Sequence, residues 1–114
     1  FFAKKKSYSF DKIRTCNFSF YKEDAIKVNG FDNRCIGWGR EDSEFAVRLV
    51  NAKTNRINLR FAGIAYHLYH VENTRTNLPA NDELLNNSIV HHHTWTSEGL
   101  AQIRVDQSIV TRVC

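Results

Sequence analysis

Residues 37–44 read Gly-Trp-Gly-Arg-Glu-Asp-Ser-Glu, setting two glycines, an indole and three carboxylates directly before an amphipathic run. Glycine opens backbone conformations closed to other residues and lets a ligand come close. Trp38 offers a flat apolar face of the kind a sugar ring can lie on, with an N–H to donate. A partly buried carboxylate beside it could take a proton from an approaching hydroxyl, and a second could accept hydrogen bonds from neighbouring hydroxyls. Asp42 fits the first task and Glu41 the second. The bland alternative is a helix start, which by itself accounts for most acidic residues at such positions. Trp38, taken alone, is likewise more often a core residue than a platform.

The elements that must hold these groups can be read from periodicity. Phe45, Ala46, Leu49 and Val50 recur at helical spacing and predict a helix over about 41–52, with the acidic cluster in its first turn. Three or four residues back from Phe45, Ala46 and Leu49 lies Asp42, which should share the inward face, while Ser43 and Arg40 should be more exposed. Upstream, residues 15–20 alternate as a strand, residues 22–28 have helical character, and Asn29-Gly30 supplies a turn with positive φ. Downstream, residues 53–56 read as a loop, 57–61 as a strand, and 64–70 as another strand after Gly63. Pro79 argues for an irregular crossing over residues 71–81. Asn81-Asp82-Glu83 then caps a helix carrying Leu84, Leu85, Ile89 and Val90. Ile109, Val110 and Val113 suggest a final strand.

A second group with chemical potential is His67 and His70, either of which could ligate a divalent ion. On one continuous strand residues three apart point to opposite faces, so both serve one site only if the chain turns at Leu68-Tyr69. His91-His92-His93 radiate over different faces of a helical pattern and read as a solvated helix end.

Composition narrows the class. The chain has 114 residues, 42% hydrophobic and 25% charged, which suits one soluble globular domain. It contains no Met, and we expect it to be a fragment or excised domain of a longer protein. No apolar run approaches the roughly 18 residues of a membrane span. The net charge of +4 suits an anionic partner such as a nucleotide diphosphate, a phospholipid surface or nucleic acid. Lys4-Lys5-Lys6 reads as a solvated loop. The aromatic run Phe18-Ser19-Phe20-Tyr21 lacks the basic neighbours of a nucleic-acid stacking strand, and no nucleic-acid partner is expected. Cys16, Cys35 and Cys114 form no disulfide framework and suggest a reducing compartment, with a Cys16–Cys35 pair left open. No phosphate-cradling loop, nucleophile elbow, zinc H-E-x-x-H or Asp-x-Asp occurs.

Taken in order, Cys16-Asn17-Phe18-Ser19-Phe20, Val28-Asn29-Gly30-Phe31-Asp32, residues 37–44, Arg48-Leu49 and His67-Leu68-Tyr69-His70 resemble the C-terminal half of family 2 glycosyltransferases. They also look like the related galactosyltransferase C-terminal domain of animal β-1,4-galactosyltransferases and chondroitin polymerases. The resemblance covers about residues 15–81, and residues 71–85 look like bacterial members that build surface polysaccharides. It implies an α/β nucleotide-diphospho-sugar transferase fold, with a mixed sheet flanked by helices. The chain would be a single acceptor-side domain over 1–114, with its motif core at 15–81 and a helical tail at 82–114. A donor-binding half carrying Asp-x-Asp would complete it.

By the same resemblance Asp42 matches the catalytic base and Glu41 its acceptor-binding neighbour, while Trp38 and Gly39 line the sugar pocket. Arg40 stands where galactosyltransferases have Gly and could contact acidic sugars. His67 matches a position that often supplies a manganese ligand, and His70 matches the second ligand position of galactosyltransferases. The implied activity is inverting transfer of a hexose or N-acetylhexosamine from a UDP-sugar to a glycan acceptor, with Mn2+ or Mg2+. The implied setting is the cytoplasm at the inner face of a bacterial membrane, with peripheral membrane association. Self-association through apolar surface left uncovered is a further expectation. A non-catalytic carbohydrate-binding module is the alternative from another class.

Overall fold

The computed structural model describes residues 4–7, 10, 13–59 and 63–103. Strand β1 (Lys4–Ser7) pairs antiparallel with β2 (Arg56–Leu59), Lys4 opposite Leu59 and Ser7 opposite Arg56. Between them lie a 3-10 turn (Thr15–Asn17) and helices α1 (Lys22–Lys27) and α2 (Glu41–Asn51). Helix α3 (Leu78–Val90) follows β2 and packs on α2. Helix and strand content is therefore mixed, and the sheet among the described residues is this two-stranded ribbon.

Helix α2 is the centre of the packing. Phe45 is fully buried and meets aromatic rings on several sides: Phe31 stacks on it at 4.3 Å, and Phe20 and Phe18 meet it edge-on at 5.0 and 6.1 Å. Val28 and Leu49 complete this core. The amphipathic pattern understates the burial, because Glu44, Val47 and Arg48 are buried as well. Arg48 lays its guanidinium on both Glu44 oxygens at 2.7 Å and donates to the Val28 carbonyl at 2.5 Å. Ser88 of α3 donates to the same Glu44 carboxylate at 2.8 Å. One buried ion pair thus joins α2, α3 and the turn after α1.

That turn forms as its sequence predicts. Asn29 and Gly30 have φ of 66° and 71°, and the Gly30 N–H closes the helix end on the Ala25 carbonyl at 2.7 Å. The buried Asn29 side chain then donates to the Thr96 carbonyl and accepts from the Ala101 N–H. Asp32, also buried, accepts both Arg34 guanidinium bonds and the Thr96 hydroxyl. Burial alone would raise the Asp32 carboxyl. The hydrogen bonds from Arg34 and Thr96 outweigh it and hold the group below its ordinary value. A depressed carboxyl contributes stability above its unfolded pKa, near 3.9, and that contribution is lost as pH falls through the lowered folded value. In thermal melts from pH 7 to pH 3, Asp32→Asn is expected to be less stable than the wild type at pH 7. The gap should narrow in acid; a gap constant across that range would contradict the assignment.

Several expected elements differ. Residues 15–20 begin with the 3-10 turn, and no strand runs through them. Phe18 and Phe20 do lie 5.3 Å apart and both meet Phe45, but among the described residues no strand pairs with this segment. Residues 64–70 are exposed and without regular structure for the same reason. Lys4-Lys5-Lys6 is strand, paired to β2, where a loop was expected. Pro79 does not mark an irregular crossing; it sits in the first turn of α3, where its missing N–H costs nothing. The helix therefore starts at Leu78, ahead of the cap expected at 81–83, and Asn81 is buried within it. The helical tail expected over 82–114 is helix through Val90, breaks with His92 at φ 52° and the three histidines exposed, and is helical again at 100–103. The final strand expected near 109–113, and Cys114, lie outside the described residues. Cys16 and Cys35 are free thiols, so the pair left open does not form. Burial, then the Glu44, Asp32 and Glu41 carboxylates, push the Cys35 thiol up to about 12, which keeps it neutral.

Candidate functional site

The loop before α2 is shaped by left-handed backbone. Gly37 and Gly39 have φ of 80° and 98°, and a Cβ on Gly37 would stand 3.3 Å from the Thr74 carbonyl. Any other residue at these positions would be strained and would push away the segment that closes over the loop. Arg40, at the N-cap of α2, has φ 77° without being glycine, a strained conformation that the surroundings must enforce. Helix α3 does so. Asn81 donates to the carbonyls of Ile36 and Gly39 at 3.1 and 2.9 Å, and Asp82 holds the Arg40 guanidinium at 2.5 Å.

The strained loop delivers the acidic cluster in sorted form. Glu44 points into the core and is committed to Arg48. Asp42 is buried at 8% exposure, the inward direction its spacing predicts. Its Oδ1 accepts the Ser43 N–H at 2.7 Å and the Ser43 hydroxyl at 3.3 Å, and its other oxygen has no partner among the described residues. Glu41 is half-buried, and its Oε2 is enclosed without any hydrogen-bond donor. Two neighbouring carboxylates therefore each hold an acceptor oxygen that the protein leaves unused.

Trp38 is partly exposed, with its N–H backbone group reaching the Thr74 carbonyl at 3.4 Å. The Arg75 guanidinium lies over the indole, 4.1 Å from its centre, and pairs with Glu72. Such a contact steadies the ring. His67 and His70 lie on a segment without regular structure, so the opposite-face problem of a strand does not arise. Their Nε2 atoms are 3.2 Å apart.

These parts surround one cleft of about 380 Å³, whose walls include Trp38, Gly39, Arg40, Glu41, Asp42, His67 and His70. Every residue singled out from the sequence is in it. The walls also include Arg14, Cys16, Ser43, Val71 and Asn73, which sequence reasoning did not select. Cys16 and Ser43 stand inside the motif segments, and only nearness to those segments could have pointed to Arg14, Val71 and Asn73. Asn17, beside Cys16, donates to the Gly63 carbonyl at 3.1 Å and so holds the 3-10 turn near the base of the histidine segment.

A family model described as the N-terminal domain of galactosyltransferase matches residues 2–71, more than half of the chain. The chain belongs to this galactosyltransferase family. The match takes in the segments at 16–20, 28–32, 37–44 and 67–70 on which the glycosyltransferase resemblance stands. No curated protein and no solved structure matches the chain. In this galactosyltransferase-family chain the Gly37–Trp38–Gly39 loop, the start of α2 and the histidine pair all fall within the matched region, whereas α3, which braces the loop, lies beyond it. No described helix is long and apolar enough to cross a membrane.

Proposed function

We propose that the chain supplies the acceptor side of an inverting, divalent-metal-dependent glycosyltransferase that moves a hexose or N-acetylhexosamine from a UDP-sugar to a glycan acceptor. The observation that carries this reading is the buried Asp42 carboxylate, with one oxygen unused, opening on the same cleft as Trp38, Glu41 and the histidine pair. In a single displacement the unused Asp42 oxygen takes the proton of the acceptor hydroxyl. The hydroxyl oxygen bonds to the sugar's anomeric carbon as the bond from that carbon to the diphosphate breaks. Glu41, beside Asp42 on the cleft wall, receives a hydrogen bond from a neighbouring acceptor hydroxyl. Trp38 and Gly39 line the sugar pocket. Arg40, already paired with Asp82, presents the edge of its guanidinium to the acceptor.

His67 and His70 fit a metal. Two nitrogens each about 2.1 Å from one ion stand roughly 3.0–3.4 Å apart when the ligands are adjacent, and the Nε2 separation is 3.2 Å. When bound, Mn2+ or Mg2+ would neutralise charge on the departing diphosphate. No third His, Cys, Asp or Glu joins the pair among the described residues. The remaining ligands would be phosphate oxygens, water and the Asp-x-Asp of a donor-binding half.

The matched family model is described as an N-terminal domain. Support for the acceptor-side placement is that the 114 residues hold the base-bearing motif and no Asp-x-Asp. A lone two-stranded ribbon is marginal in water, and Ile57 and Leu59 stand half-exposed on it. A donor half would cover them and extend the ribbon into a mixed sheet flanked by helices. Uncovered, the same face would favour self-association. The setting we propose is the cytoplasmic face of a bacterial membrane, with peripheral attachment.

Titrating UDP into the full-length protein with and without Mn2+ tests the reading: each ligand should tighten the other. Glycan binding indifferent to both would instead support a non-catalytic carbohydrate module.

A further inference from the structure

Four described arginines are committed to carboxylates. Arg34, Arg40, Arg48 and Arg75 each hold a carboxylate, those of Asp32, Asp82, Glu44 and Glu72. Arg14 holds none among the described residues, although it lines the cleft. Its one hydrogen bond runs from Nη1 to the carbonyl of its own neighbour Ile13, at 3.0 Å. A guanidinium has five N–H donors in a rigid fork matched to carboxylate and phosphate oxygens. Most of that capacity is unspent here.

Its location gives the unspent charge a use. The cleft is built from separate segments of the chain: the start of α2 brings Glu41 and Asp42, the irregular segment brings His67 and His70, and the 3-10 turn with the residue that caps it brings Cys16 and Arg14. The acidic start of α2 repels an anion and suits a hydroxyl that must lose a proton. An anionic leaving group needs a cation elsewhere in the same cleft, and Arg40 is already neutralised by Asp82. Arg14, just outside the 3-10 turn on extended backbone with an exposed side chain, is the cation placed to receive it.

We propose that Arg14 is the anion-binding group of the cleft and takes the phosphates of the departing nucleoside diphosphate. This rests on the transferase reading above for the identity of the anion. The phosphate site itself stands on Arg14 alone. Arg14 forms and breaks no covalent bond; its fork donates to phosphate oxygens and stabilises their charge as the bond to the sugar breaks.

The test uses inorganic pyrophosphate titrated calorimetrically into the full chain at fixed ionic strength, with circular dichroism as a check on folding. Arg14→Gln is expected to weaken binding about tenfold to a hundredfold, the range of a charge-assisted contact. Arg14→Lys should recover part of the loss, because it restores the charge without the fork. Lys27→Gln, at the far end of α2 where Lys27 donates to the Ala52 carbonyl, should bind as the wild type does. Wild-type chain that takes up no pyrophosphate, or Arg14→Gln that binds it unchanged, would overturn the proposal. So would Lys27→Gln that weakens binding as much as Arg14→Gln, since the effect would then be general charge.

Turnover of the full-length protein separates the two readings. Sugar transfer that depends on Asp42 but keeps its kcat in Arg14→Gln would remove Arg14's role and leave the transferase standing. Arg14-dependent pyrophosphate binding in a protein that transfers no sugar would do the reverse.

Discussion

Arg48→Ala is expected to cost about 3–5 kcal/mol, the usual result of stripping one partner from a buried ion pair. Domains of this kind have only about 5–15 kcal/mol to lose. The reason lies in what remains. Glu44 would keep a full charge at 1% side-chain exposure with only the Ser88 hydroxyl to answer it, and the Val28 carbonyl would lose its donor. Removing both charges together, as Glu44→Leu with Arg48→Met, should be less damaging than Arg48→Ala alone, because apolar side chains of similar volume carry no desolvation penalty. Urea melts of the two variants decide the matter. A loss below about 1 kcal/mol in Arg48→Ala would put the pair on a par with exposed ones such as Arg75–Glu72, which is more than half exposed on both sides.

This pair also shows where a single sequence stops being readable. Glu44 and Arg48 are spaced like an ordinary solvated helix pair, and nothing local says that α3 and the Val28 turn close over them. Local chemistry was legible where it suffices. The stop at Asn29-Gly30, the extent of α2 and the inward direction of Asp42 follow from φ preferences and a 3.6-residue period. Strands were less legible, because residues 15–20 and 64–70 have strand composition without a partner strand among the described residues. Pro79 misled because the same ring that breaks a helix interior is at home in a helix's first turn.

The candidate site was legible as a set of residues, since Trp38, Glu41 and Asp42 fall in one short motif. Its closure was not. That His67 and His70 converge depends on a segment that is not a strand, and that Arg14 shares the cleft depends on a contact between the 3-10 turn and Gly63.

Asp42→Asn is expected to lower the kcat for sugar transfer about 10²–10⁴-fold, the contribution of a positioned general base. Asparagine has nearly the same shape, and its carbonyl oxygen can still accept the Ser43 N–H that Oδ1 now accepts at 2.7 Å. What it removes is the negative charge and the basicity of the second oxygen. The charge at the start of α2 is worth about 0.3–1 kcal/mol to the helix, and Glu41 and Glu44 remain in the same turn. Fold stability should therefore change by less than about 1 kcal/mol. These two numbers separate a base from a helix-start ornament, because an ornament would lose stability and keep turnover.

The most direct measurement is the kcat of the full-length protein for transfer from a UDP-sugar to its glycan acceptor, wild type beside Asp42→Asn, with the thermal melt of each recorded on the same preparations. The expected result is a loss of at least about a hundredfold in kcat with superimposable melts. Full turnover in Asp42→Asn would contradict the account.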